Sequence, residues 1–250
     1  MVHSLFLSVL PTLSLCFTHS FSLFYPFFLS GSHAIFLCVA LTFFSVSRTL
    51  SLWFTHFSLF FQVFEPLESE SYRVDHITLH PDFRYMLTQP DRFDVAVLKL
   101  DRPVAYQDNI LPICLPTSDY DLVGKIGVVA GWGKTDNSFG KTGTNILHKV
   151  LVPIIENDRC RAWHRDKAIA VQLHEEMFCA GHKVGKQDAC LGDSGGPLVI
   201  NFDGKWTLIG ITSAGFGCAV EKQPGIYHKI SKTAKWIANQ INNRDSPRKK

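Results

Sequence analysis

From Glu65 onward the chain alternates short apolar runs with turn-forming residues. Val95-Ala96-Val97-Leu98-Lys99-Leu100, Ile126-Gly127-Val128-Val129-Ala130, Pro197-Leu198-Val199-Ile200 and Trp206-Thr207-Leu208-Ile209-Gly210-Ile211-Thr212 are rich in β-branched side chains and bounded by Gly, Pro, Asn or Asp. That pattern predicts strands, and many short strands separated by turn signals predict a barrel or sandwich. A persuasive helical period occurs at the C-terminus. Residues 231–242 begin on a serine suited to capping and set Ala234, Ile237 and Ile241 at three- and four-residue spacing, so a helix packed on the body is expected.

Residues 1–64 follow no such pattern. They are mostly Phe, Leu and Ser, with Arg48 as the only Lys, Arg, Asp or Glu. Three origins fit this composition. A secretory signal has the apolar stretch but lacks a basic start beyond His3 and the amino terminus. A membrane anchor needs roughly 20 apolar residues, more than the apolar run at residues 34–46 provides. Translated pyrimidine-rich non-coding sequence yields the same Phe, Leu, Ser and Pro. The expected organisation is therefore residues 1–64 as a low-complexity segment, 65–243 as the folded domain and 244–250 as a solvated basic tail.

Charge adds little: +3 with pI near 8.4 and no dense Lys/Arg stripe gives no electrostatic case for nucleic acid. Cysteine usage says more. Cys160, Cys179, Cys190 and Cys218 lie among loop-like residues without the paired spacing of zinc sites. Two disulfides and an oxidising compartment are the better reading. The total of 7 cysteines leaves at least one unpaired or bonded to another chain.

The strongest chemical signal is Asp188-Ala189-Cys190-Leu191-Gly192-Asp193-Ser194-Gly195-Gly196-Pro197. A serine among glycines can be exposed on a tight turn that a substrate backbone approaches closely. In such a turn the Gly192 and Ser194 amides can aim at a developing oxyanion. Gly192 to Pro197 resembles the Gly-Asp-Ser-Gly-Gly-Pro signature of trypsin-like, chymotrypsin-fold serine proteases. Further matches run in register: Val129-Ala130-Gly131-Trp132-Gly133, Met177-Phe178-Cys179-Ala180-Gly181, Gly210-Ile211-Thr212-Ser213, and Gly217-Cys218 followed by Pro224-Gly225-Ile226-Tyr227. The resemblance covers residues 65–242.

This resemblance implies an all-β fold of two six-stranded antiparallel barrels with a C-terminal helix, the first barrel incomplete. It implies hydrolysis of peptide bonds by an acyl-enzyme route with Ser194 as nucleophile. Asp94, in Phe93-Asp94-Val95-Ala96-Val97-Leu98 after His80-Pro81-Asp82-Phe83, resembles the acid that orients the histidine. Asp188, six residues before Ser194, corresponds to the carboxylate at the base of the primary pocket, which implies cleavage after Lys or Arg. Gly215 and Gly225 would keep the pocket walls open, and Ser213 and Gly215 would bind substrate backbone. Ala214 departs from the family's usual tryptophan, which would widen and depolarise the neighbouring subsite.

The implied disulfides are Cys160–Cys179 and Cys190–Cys218. A further family bridge would use the positions of Gly127 and Ile200, where both cysteines are absent. Cys114 resembles the cysteine that tethers a pro-region; Cys16 and Cys38 are its possible partners within the chain. Implied partners are protein or peptide substrates with Lys or Arg at the cleavage site, and serpin or Kunitz-type inhibitors, with no cofactor or metal. The implied location is extracellular, or membrane-anchored through the N-terminal segment.

Two family elements are missing from the sequence: an Ile-Val-Gly-Gly-type start and a Thr-Ala-Ala-His-Cys segment holding the general base. Asp193 is therefore expected to lack its ammonium partner, and this chain is expected to be inactive. His76 and His80 fall where the resemblance assigns other roles. His56, in Trp53-Phe54-Thr55-His56-Phe57, has an aromatic approach loosely similar to the Thr-Ala-Ala-His-Cys segment and is a candidate base, although it lies in the Phe/Ser/Leu-rich stretch and too near Asp94 for the family's spacing. The rival reading is a noncatalytic protease homologue that serves as a binding module.

Overall fold

The structure is a computed structural model that describes residues 70–134, 143–144, 146–186 and 188–242, together with the backbone of 35–38. The N-terminal segment, apart from that short stretch, and the basic tail lie outside the described residues, as does His56.

Six strands close into a barrel: β4 (Ile126–Gly131), β5 (His148–Ile155), β6 (Met177–Ala180), β7 (Pro197–Phe202), β8 (Lys205–Ala214) and β9 (Gly225–Lys229). Their order around it is β4-β5-β6-β9-β8-β7, with β4 and β7 paired to close it. A second sheet has the order β1-β3-β2, from β1 (Ile35–Cys38), β2 (Val74–Leu79) and β3 (Ala96–Leu100). Two helices complete the elements, α1 (Asn157–Asp166) and α2 (Ala234–Asn242).

All four predicted strands are present. The β7–β8 hairpin turns on Asp203 and Gly204, both at positive φ (51° and 84°), the conformation that matches a tight hairpin to the twist of its strands. β8 is buried almost throughout because it faces two cores. Ile209 points into the barrel with Val129, Val152, Phe178, Leu198 and Tyr227. Leu208 and Ile211 point outward, where Val95 and Val97 of the first half and Ile237 and Ile241 of α2 join them. The second sheet has its own small core of Leu98, Leu100 and Ile110.

The C-terminal helix begins later than its pattern predicts. Ser231 lies in a short 3-10 turn and donates its hydroxyl to Asp119 at 2.9 Å, so it does not cap α2. Thr233 supplies the first helical acceptor, for Ile237 N–H at 2.9 Å. Ile237 and Ile241 are buried as the spacing requires.

β1 comes from inside the low-complexity segment. Its backbone pairs with β3 from Ile35↔Lys99 to Cys38↔Ala96, so the change in composition at Glu65 does not coincide with the edge of the sheet. The antiparallel register Val128↔Val199 sets Gly127 opposite Ile200, where the family's additional bridge would lie. Leu198 occupies that space instead: a Cβ on Gly127 would fall 2.4 Å from its Cδ2.

Candidate active site

The candidate site residues converge where β8 ends, at the junction of the barrel and the first sheet. Asp94 is 2% exposed, just ahead of β3, and its Oδ2 accepts the Ser213 hydroxyl at 2.6 Å. Ser213's neighbour Thr212 is bonded to the serine turn twice. Gly195 N–H donates to Thr212 C=O, and Thr212 N–H donates to Gly196 C=O, both at 2.9 Å. Asp94, Ser213 and the Ser194 turn therefore form one connected unit.

Within that turn, the amides of Asp193, Gly195 and Gly196 donate to Cys190, Thr212 and Asp193 carbonyls at 2.8–2.9 Å. Those of Gly192 and Ser194 find no acceptor among the described residues. Gly192 sits at φ 100° and Gly195 at φ 83°, conformations that a side chain would strain. The turn thus carries two uncommitted N–H donors beside a serine hydroxyl that forms no hydrogen bond among the described residues.

Asp188 accepts N–H groups from Ala189 at 2.8 Å and Gly225 at 3.1 Å. Burial pushes its carboxyl up to about 7, and the negative Asp193 adds to the rise while the two amides oppose it. A Cβ on Gly225 would lie 3.2 Å from Asp188 Oδ1 and 3.3 Å from Tyr227 Oη. Gly225 therefore permits close approach to the carboxylate. Gly215 faces open space, with Gly217 C=O the only atom near its Cβ position, at 3.5 Å. Asp188 and Asp193 both line a cavity of about 460 Å³ with Gly131, Gly133, Cys190 and Cys218. A groove of about 850 Å³ along Pro112–Tyr120 and α2 contains none of these residues.

A family model described as Trypsin matches residues 64–237. The chain belongs to the trypsin family. The "Serine proteinase stubble" of Drosophila melanogaster is 37% identical over 164 residues, which are 65% of this chain and 20% of that protein. The chain thus spans about one fifth of the length of that curated relative.

Both disulfides implied by the trypsin resemblance are formed, Cys160–Cys179 and Cys190–Cys218. The first ties α1 to β6, and the second joins the serine turn to the loop before Gly225. Cys114 is also disulfide-bonded, to a partner outside the described side chains. No helix among the described residues is long and apolar enough to cross a membrane.

Asp193 is held by backbone amides. Its carboxylate accepts Gly133 N–H at 2.8 Å and Cys190 N–H at 2.9 Å. Gly131 and Gly133 are required for this, since a Cβ on either would lie 2.0 to 2.5 Å from the nearest carboxylate oxygen. The trypsin motif Gly131-Trp132-Gly133 thus has a local physical reason.

Sequence reasoning assigned no role to Tyr227, whose buried hydroxyl has no hydrogen-bond partner among the described residues and whose phenol is pushed up by burial and by Asp188 and Asp193. The available signal was its place two residues after Gly225, on the same face of a strand. Ala214 packs with Trp163, Leu173 and Phe216 in an apolar group beside the site.

Proposed function

We propose that this domain is built as a serine endopeptidase that cleaves protein or peptide substrates after Lys or Arg. The observation that carries this reading is the connected unit of Asp94, Ser213 and the Ser194 turn, whose Gly192 and Ser194 amides have no acceptor among the described residues. Ser194 Oγ is the nucleophile toward the scissile carbonyl. The N–H groups of Gly192 and Ser194 stabilise the resulting oxyanion, a contribution of about 3–4 kcal/mol per donor in comparable sites. Asp94 orients and charge-stabilises a histidine that accepts the Ser194 proton and later returns it to the leaving amine.

Asp188, bonded to Gly225 N–H, selects the side chain before the cleaved bond. A Lys or Arg side chain supplies the cation that makes ionisation of a buried carboxylate favourable. Ser213 and Gly215 bind the substrate backbone as an added strand. Ala214, in place of a large aromatic residue, leaves the adjoining subsite wide and bordered by Phe216 and Leu173. The Cys190–Cys218 and Cys160–Cys179 bridges support secretion.

The sequence contains no Thr-Ala-Ala-His-Cys segment, so we read the chain as lacking its general base. Loss of proton transfer lowers the rate by about 100- to 10,000-fold. A second reading, a noncatalytic homologue that retains a cation-binding pocket, is favoured by the histidines. His164 and His228 are buried in structural contacts, and His80 is stacked on Phe93.

A serine-directed phosphonate bearing a basic side chain tests both. Covalent labelling lost in Ser194→Ala establishes an activated nucleophile. No labelling, with aryl amidine binding retained and lost in Asp188→Asn, establishes the binding homologue. Absence of both ends the protease-derived reading.

A further inference from the structure

The segment that carries Asp94 adopts a conformation that needs support. Phe93 takes φ 45°, a region that is strained for a bulky residue. The next turn is tight, with Val95 N–H donating back to Phe93 C=O at 2.8 Å.

Contacts from the barrel half and from His80, just after β2, hold this segment. Ser213 donates to Asp94. The His80 ring stacks on Phe93 with centroids 4.7 Å apart and meets Trp236 of α2 at 4.7 Å. Arg92 reaches across to Glu176, 84 residues away, with Nε donating to Oε1 and Nη2 to Oε2, the latter at 3.3 Å. The same guanidinium lies over the Phe93 ring, 5.5 Å from its centroid.

Glu176 is wholly buried and directly precedes β6, and its carbonyl accepts Lys229 N–H of β9 at 2.8 Å. It is therefore fixed to the barrel at its backbone. Burial pushes its carboxyl up; the Arg92 bonds and charge, its own backbone N–H and the His174 charge together offset this and hold it below its ordinary value.

A buried ion pair is a poor source of net stability, because desolvation cancels most of the attraction. What a two-bond carboxylate–guanidinium pair supplies is fixed planar geometry. We propose that Glu176, acting through Arg92, is a positioning residue that sets Asp94 against Ser213 at the junction. This rests on the proposed role of Asp94, although the positioning itself can be measured without catalysis.

The test is amide hydrogen exchange on the full chain, comparing the native protein with Glu176→Gln, Arg92→Lys, Ser213→Ala and the Glu176→Gln/Ser213→Ala pair. Glu176→Gln is expected to speed exchange across residues 93–95 by about tenfold, an energy of about 1.4 kcal/mol, while β6 and β9 keep their protection. Ser213→Ala is expected to add nothing further once Glu176 is changed, since both act on Asp94. Arg92→Lys keeps the charge but loses the paired bonds, and is expected to loosen the same residues. It carries the test if Glu176→Gln does not fold. Additive effects of Glu176 and Ser213, equal loosening of β6 and β9, or an unchanged Arg92→Lys protein would each overturn the proposal. Failure of phosphonate labelling would remove the catalytic reading and leave the exchange result intact.

Discussion

Asp188 has the most direct pH consequence of any single residue. Its folded pKa, about 7, lies above the ordinary 3.8 because burial disfavours the carboxylate. The folded state therefore holds more protons than the unfolded state between those values, and this residue's contribution to stability falls as pH rises from about 4 to about 7. Cation binding follows the opposite trend, because the bound cation pairs with the ionised form. Aryl amidine affinity, measured by calorimetry, is expected to rise through pH 7, and Asp188→Asn is expected to cost about 2–5 kcal/mol of that affinity.

Gly133 allows an equally local test. A side chain there would fall 2.4 Å from the Asp193 carboxyl carbon, so Gly133→Ala is expected to displace Asp193 and with it the Gly192 and Ser194 amides. Amidine binding and phosphonate labelling should then decline together. Unaltered binding in Gly133→Ala would mean that the turn does not depend on Asp193.

At the scale of elements, β3, β4, β7 and β8 were legible because their runs are apolar, β-branched and bounded by turn residues. α1 was not. Its sequence, Asn157-Asp158-Arg159-Cys160-Arg161-Ala162-Trp163-His164-Arg165-Asp166, is mostly polar, and only Cys160 and His164 are buried. The anchors of α1 are distant in sequence: the bridge to Cys179, the His164 ring against Phe216 at 5.4 Å, and Asp166 to Lys222 at 2.7 Å. Replacing Cys160 and Cys179 together by alanine is expected to cost about 3 kcal/mol, with exchange rising first in α1. Protection of α1 equal to that of the native protein would show that its other contacts suffice.

Across the whole molecule, the closed barrel leaves no unpaired strand edge, whereas the first half offers three described strands in an open sheet. Open edges and a small core give little cooperative protection. Slow amide exchange is therefore expected in β4–β9 and faster exchange in β2 and β3. Uniformly slow exchange across both halves would contradict this difference in specification. Acid should remove the histidines' share of the stability, against the opposite trend at Asp188. His80, His164 and His228 are all lowered by burial, His228 to about 3, so the unfolded chain binds more protons than the folded one below the ordinary histidine value of 6.5. Their contribution to stability is present above that pH and is lost as pH falls below it, measurable as a falling urea midpoint in Asp188→Asn, which removes the opposing carboxyl.

The sequence determined the serine turn and the strand runs, because glycines and β-branched patterns have local physical requirements, and its resemblance to the trypsin family implied the fold and the disulfide pairs. Only the tertiary structure decided which charges meet: that Arg92 finds Glu176, that Asp193 is held by Gly133 and Cys190, and that Ile35–Cys38 aligns with β3. Each of these depends on bringing distant segments within hydrogen-bonding distance, and an ion pair or a strand pairing leaves no periodic trace in either of the segments that form it.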